Sequence, residues 1–258
     1  MKLIKIITGF FGLFCCYHLA DYRMLRYQDT HSFLLLLLGF LVLAWAIARW
    51  LRLEKGLAAW GLPFNRKTFS QLGRGFMAGT LVYGSFFIAC LLLNIESLVL
   101  VPAVSVLLPQ VLLFGFGTFL ASVAEDILTR SYLYRFLKDT IPSAGLVVLS
   151  AFVYVLNHIF RLHEGITIWT YLFIIGLFLM IALVRSGNLW ITVGLHWSGN
   201  MVYQLSHNIL VTKPGSNHFP ELTLYIFFLI LLIPVSLVIS KNQRAKTAVI
   251  QMLIPHDS

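Results

Sequence analysis

The residues best suited to chemistry lie inside the most apolar parts of this 258-residue chain. The stretch "EDILTR" brings Glu125, Asp126 and Arg130 together. "YVLNH" adds Tyr154, Asn157 and His158, and "HWSGN" adds His196, Ser198 and Asn200. Asp126 and Arg130, Tyr154 and His158, and His196 and Asn200 are each four residues apart, one helical turn, so each pair shares a face. Asp126 can neutralise Arg130. Glu125 points about 100° around the helix from Asp126 and about 140° from Arg130, so it is expected to lack a local cation. A single buried His or Asn in a membrane helix is more often interhelical glue. A carboxyl without a partner at such depth is harder to explain structurally and suits a proton acceptor.

A glutamate with a histidine can deprotonate a water for attack on an amide carbonyl. A second histidine and an asparagine amide can donate hydrogen bonds to the developing oxyanion. Glu125, His158, His196 and Asn200 form that set, with Asp126, Arg130 and Tyr154 in support. Glu125, His158 and His196 could also ligate zinc, although this hydrolytic set needs no cofactor. Other hydrolytic patterns fit less well. "HWSGN" offers Ser198 without the GxSxG elbow. "HEGIT" carries His163 and Glu164 but has Thr167 where HExxH needs its second histidine.

Helices that place such groups at one height must cross a membrane. The composition is 59% hydrophobic and 11% charged, against roughly 25% charged in soluble domains. Spans of about 20 apolar residues are predicted at roughly 3–20, 33–51, 76–93, 110–137, 143–160, 166–184, 188–210 and 221–240. The fold class is therefore all-α, a polytopic membrane bundle of about eight helices, with residues 1–258 as one integral membrane domain. At about 1.5 Å per residue, Glu125, His158 and Asn200 fall about 18–23 Å deep and His196 somewhat shallower. The stretch 98–109, ending in Pro109, reads as a short interfacial or re-entrant piece. The N-terminal run lacks a cleavage site and reads as a retained first helix. Cys15, Cys16 and Cys90 read as small core or lipid-facing residues rather than a disulfide framework.

The net charge of +9 follows from loops rather than from nucleic-acid binding, and no nucleic-acid partner is expected. With eight spans, 14 Lys and Arg, six of them in segment 49–74 and three in "KNQRAK", face one side, and Arg23, Arg26, Arg161 and Lys213 face the other. This asymmetry predicts that both termini are cytoplasmic. Trp50 and Trp60 in segment 49–74 suit the membrane interface. The expected partners are the lipid bilayer and a peptide or protein substrate.

At these motifs the chain resembles the CPBP (Abi) family of intramembrane glutamic endopeptidases, related to the type II CAAX prenyl proteases. That family carries EExxxR, FxxxH and HxxxN or HxxxD on three core helices. The resemblance covers about residues 60–210 and includes "GLPF" and "IGLFLMIALVRSGNLWITVGLHWSGN". It implies a bacterial cytoplasmic membrane protease. Glu125 would activate water, with His158 as its partner and His196 and Asn200 on the oxyanion side. Asp126 stands where the motif has a second glutamate, and Tyr154 where it has phenylalanine. A non-catalytic member of the family, acting in bacteriocin immunity or as a scaffold, is an alternative. A proton-linked transporter fits less well, because no inverted repeat is visible.

Overall fold

The structure is a computed structural model and describes residues 2–53 and 56–240. Long apolar helices dominate. They are α1 (Lys2–Tyr27), α2 (Thr30–Trp50), α3 (Thr68–Leu92), α4 (Val104–Asp126), α5 (Tyr132–Leu137), α6 (Ser143–Asn157), α7 (Ile166–Ser186), α8 (Leu189–Gln204) and α9 (Glu221–Ile239). A π-helical turn, Ile127–Ser131, joins α4 to α5 as one rod. Another, Leu205–Ile209, extends α8.

The rods stand at the eight predicted places. Six are long and apolar enough to cross a membrane: α1, α2, α3, the α4–α5 rod, α7 and α9. The apolar α6 has 15 residues, short of the roughly 20 a full span needs. Most large exposed side chains of these helices are apolar, among them Leu35, Leu81, Leu112 and Phe227. In water such faces would be costly, whereas in lipid they are solvated. The protein is an integral, multi-pass membrane protein.

Two expectations are corrected. The stretch 98–109 is not a re-entrant piece. Glu96–Leu100 forms strand β1, which pairs antiparallel with β2 (Val211–Pro214), and the chain is helical from Val104 with Pro109 inside α4. Trp60 does not present its ring to lipid or solvent. It is fully buried in the short 3₁₀ turn Gly56–Trp60, donates to the Ala44 carbonyl at 2.9 Å and stacks on Tyr132 at 5.1 Å. The indole N–H finds its partner in α2, so the whole ring can be buried inside the protein. "KNQRAK" lies outside the described residues. Cys15 is exposed, Cys16 half-buried and Cys90 buried.

Local sequence sets the helix ends. Asp29 caps α2 by accepting from the Ser32 amide at 3.0 Å, and Asn188 caps α8 by accepting from the Trp190 amide at 2.8 Å. Gly187, at φ 64°, ends α7 in the left-handed conformation that favours glycine.

The packing of α3 against α8 fixes the height of His196. Glycine and serine line this crossing, as is common where membrane helices approach closely. A Cβ on Gly194 would sit 2.7 Å from the Phe76 nitrogen and would also strike the Leu72 carbonyl. Gly194→Leu is therefore expected to force the two helices apart. It should lower the melting temperature in detergent and abolish any activity that depends on His196. A variant that melts like wild type would contradict this packing.

Candidate active site

Glu125 and Asp126 close the C-terminal end of α4, and the π-helical turn follows at once. Wide turns of this kind are often found at functional sites because they re-aim the side chains around them. The turn is anchored by Thr129, whose hydroxyl donates to the Glu125 carbonyl at 2.7 Å, and by Ser150 of α6, which donates to the Thr129 carbonyl at 2.9 Å.

Asp126 and Arg130 are both completely buried, and the guanidinium donates from Nη1 to Asp126 Oδ1. The shared helix face read from the i,i+4 spacing is thus realised. The guanidinium carbon also lies 4.4 Å from the centre of the Tyr154 ring, a cation–π contact. Asp126 has a second role: its Oδ1 accepts from His196 Nδ1 at 2.9 Å. One carboxylate therefore links the arginine of α4–α5 to the histidine of α8. Because the acceptor is a carboxylate, Nδ1 of His196 carries a proton, and Nε2 is the nitrogen turned toward Glu125.

Glu125 is not without partners, contrary to the expectation from the helix geometry. Its Oε2 lies 3.4 Å from His196 Nε2. Its Oε1 accepts from Asn157 Nδ2 at 3.0 Å and lies 3.7 Å from His158 Nε2. The two histidines thus address different oxygens of one carboxylate. Asn157 stands out in the sequence as a polar residue of the fifth span, yet the FxxxH spacing directs attention past it to His158. The signal that finds it is its place next to His158 at the end of a helix that faces α4.

His158 is not inside a helix. The regular turns of α6 stop at Asn157, and His158 leads into the 3₁₀ turn Ile159–Glu164. Its Nδ1 lies 2.8 Å from the Tyr154 carbonyl. A carbonyl can only accept, so Nδ1 is protonated, and in the neutral ring Nε2 is an acceptor facing Glu125. The Tyr154 hydroxyl lies 3.5 Å from His196 Nε2. Tyr154 thereby touches the arginine through its ring and both histidines through its carbonyl and hydroxyl.

Asn200 is set apart from the carboxylate. Its Nδ2 donates to Ser122 Oγ at 3.0 Å, and Ser122 in turn donates to the Thr118 carbonyl at 2.7 Å. Ser198 is buried and donates to the Leu195 carbonyl at 2.8 Å. A cavity of about 870 Å³ is walled by Tyr154, His158, His196 and Asn200 and by apolar side chains of α7, α8 and α9. Glu125 sits directly behind the two histidines. Arg161 and Glu164 lie on the same cavity wall and pair through two hydrogen bonds of 2.8 Å each. Those bonds from Arg161 hold the Glu164 carboxyl below the ordinary carboxylate range.

The arrangement thus has a buried carboxylate, one histidine with a free acceptor nitrogen and a second histidine held by an aspartate. An amide-bearing wall completes it. Such a set can take a proton from water on one side and donate hydrogen bonds on the other. No curated protein and no solved structure matches the chain. Residues 107–202 match the family model described as Type II CAAX prenyl endopeptidase Rce1-like. The segment that carries all three motifs is thus similar to a family of membrane proteases, in agreement with the CPBP (CAAX protease-like) resemblance read from the sequence.

Proposed function

We propose that the protein is an intramembrane endopeptidase that hydrolyses a peptide bond with a water activated by Glu125 and His158. The observation that carries this reading is the pairing of acceptors. Glu125 Oε1 and His158 Nε2 face one another at 3.7 Å, and with Nδ1 of His158 committed to the Tyr154 carbonyl neither atom has a proton to offer the other. A water bridging the two from the cavity side would donate to both. That orients its oxygen lone pair toward the cavity and gives its proton a base to enter.

Glu125 takes the proton as the water oxygen attacks the carbonyl carbon. Asn157 holds Oε1 in place from one side. In its doubly protonated form His196 has an Nε2–H to donate to the oxyanion, and the buried Asp126 opposite Nδ1 supports that charge. Asn200 has a second Nδ2–H beyond the one given to Ser122, and this is the further oxyanion donor. Glu125 then returns the proton to the leaving amine, so the base of the first step is the acid of the second. The substrate is a peptide or protein segment that enters the cavity from the bilayer. Both termini are assigned to the cytoplasm on the Lys and Arg asymmetry alone, and a bacterial membrane is what the family resemblance implies.

The test is cleavage of a peptide library by the purified full-length protein in lipid, with Asn200→Ala beside wild type. Loss of one oxyanion donor is expected to lower kcat by about 10²–10³-fold with a smaller change in KM. Unchanged kcat in the variant would remove Asn200 from the chemistry.

A further inference from the structure

A second group of donor side chains lies beside the same cavity, which two of them line. Glu96 begins β1, His207 sits in the π-helical turn after α8, and Glu221 opens α9. One ligand atom from each lies within 4.8 Å of the other two. The separation suits carboxylate and imidazole donors that draw in by a fraction of an ångström each around a small cation.

Backbone bonds join the start of β1 to β2 and to the loop that leads into α9, and β2 packs against the π-helical turn that carries His207. Glu96 pairs in register with Pro214, the Gly215 amide donates to the Ile95 carbonyl at 2.7 Å, and the Asn217 amide donates to the Asn94 carbonyl at 2.9 Å. The donors are therefore brought together by the fold and not by free side-chain motion.

Three further observations point to a cation. Glu96 Oε2 is buried and has no hydrogen-bond partner, a costly state for a carboxylate oxygen unless a positive charge meets it. Among the described residues no Lys or Arg forms an ion pair with Glu96 or Glu221. The His207 ring is fixed in the way that metal ligands usually are. Its Nδ1 lies 2.7 Å from Ser206 Oγ and 3.2 Å from the Tyr203 carbonyl, and the ring stacks on Tyr203 at 4.3 Å. A proton on Nδ1 satisfies that carbonyl and leaves Nε2 with its lone pair.

We infer that Glu96, His207 and Glu221 form a binding site for a divalent transition-metal cation, of which zinc fits the mixed imidazole and carboxylate donors best. The site is separate from Glu125. His207 and Glu221 also line the cavity, so a bound cation ties the β1–β2 ribbon and the start of α9 to the end of α8 and fixes the cavity mouth.

The experiment uses the full-length protein purified in detergent, stripped with a chelator and titrated with zinc, with magnesium and calcium as parallel probes. Wild type is expected to take up about one zinc ion per chain and to melt at a higher temperature with zinc than without it. His207→Ala and Glu96→Gln should each weaken zinc binding by about 100-fold or more and remove the zinc-dependent melting shift. Glu125→Gln should bind zinc as wild type does. Three results would overturn the assignment: no zinc bound to folded wild type, zinc binding unaffected in both His207→Ala and Glu96→Gln, or zinc binding lost in Glu125→Gln.

Discussion

Glu125→Gln is expected to eliminate peptide hydrolysis and leave the protein folded. Glutamine keeps the size of the side chain, and its amide oxygen can still accept from Asn157 at the 3.0 Å that Glu125 Oε1 now does. It cannot take a proton. With His158 Nδ1 committed to the Tyr154 carbonyl, the water would face the imidazole alone, and the proton returned to the leaving amine would lose its carrier. General acid–base catalysis contributes about 10²–10⁴-fold, and Glu125 is assigned both halves of it. The activity should therefore fall by at least about 10⁴-fold. Melting temperature and detergent behaviour are the control, because an unfolded variant would be inactive for a trivial reason.

The second large effect falls on stability. Arg130 is fully buried beside Asp126, also fully buried, and its guanidinium covers the face of Tyr154. Arg130→Ala leaves Asp126 with only His196 opposite it and opens a space where the largest polar side chain of the core stood. Breaking a buried ion pair from one side costs about 3–5 kcal/mol. The variant should give a low folded yield and a strongly lowered melting temperature. Asp126→Asn should be milder, because an amide can still accept from Arg130. If Arg130→Ala melts with wild type and is merely inactive, the arginine belongs to the chemistry instead of the scaffold.

Much of this site was legible in the sequence because its geometry is local. The i,i+4 spacing of Asp126 and Arg130 and that of Tyr154 and His158 each correspond to contacts within one stretch of chain. The helices were equally legible, since twenty apolar residues leave little choice of structure in lipid. What escaped depends on chain segments meeting from afar. Trp60 looks like an interfacial tryptophan until α2 supplies the Ala44 carbonyl. Glu125 looks unpartnered on a helical wheel, because the wheel omits Asn157 and His158 from α6 and His196 from α8. The link from Asp126 to His196 spans seventy residues, so no local pattern carries it. The ribbon of β1 and β2, with the donors it gathers, rests on strands too short and too distant for a periodicity to mark.

The role of Glu125 in peptide hydrolysis is measured with wild-type protein reconstituted in lipid vesicles and incubated with a mixture of membrane-spanning and juxtamembrane peptides. New chain ends are identified by mass spectrometry, with folded Glu125→Gln protein in parallel. Discrete cleavage products are expected with wild type and are expected to be absent with the glutamine variant. The same products from both proteins, or none from folded wild type across the mixture, would contradict that role.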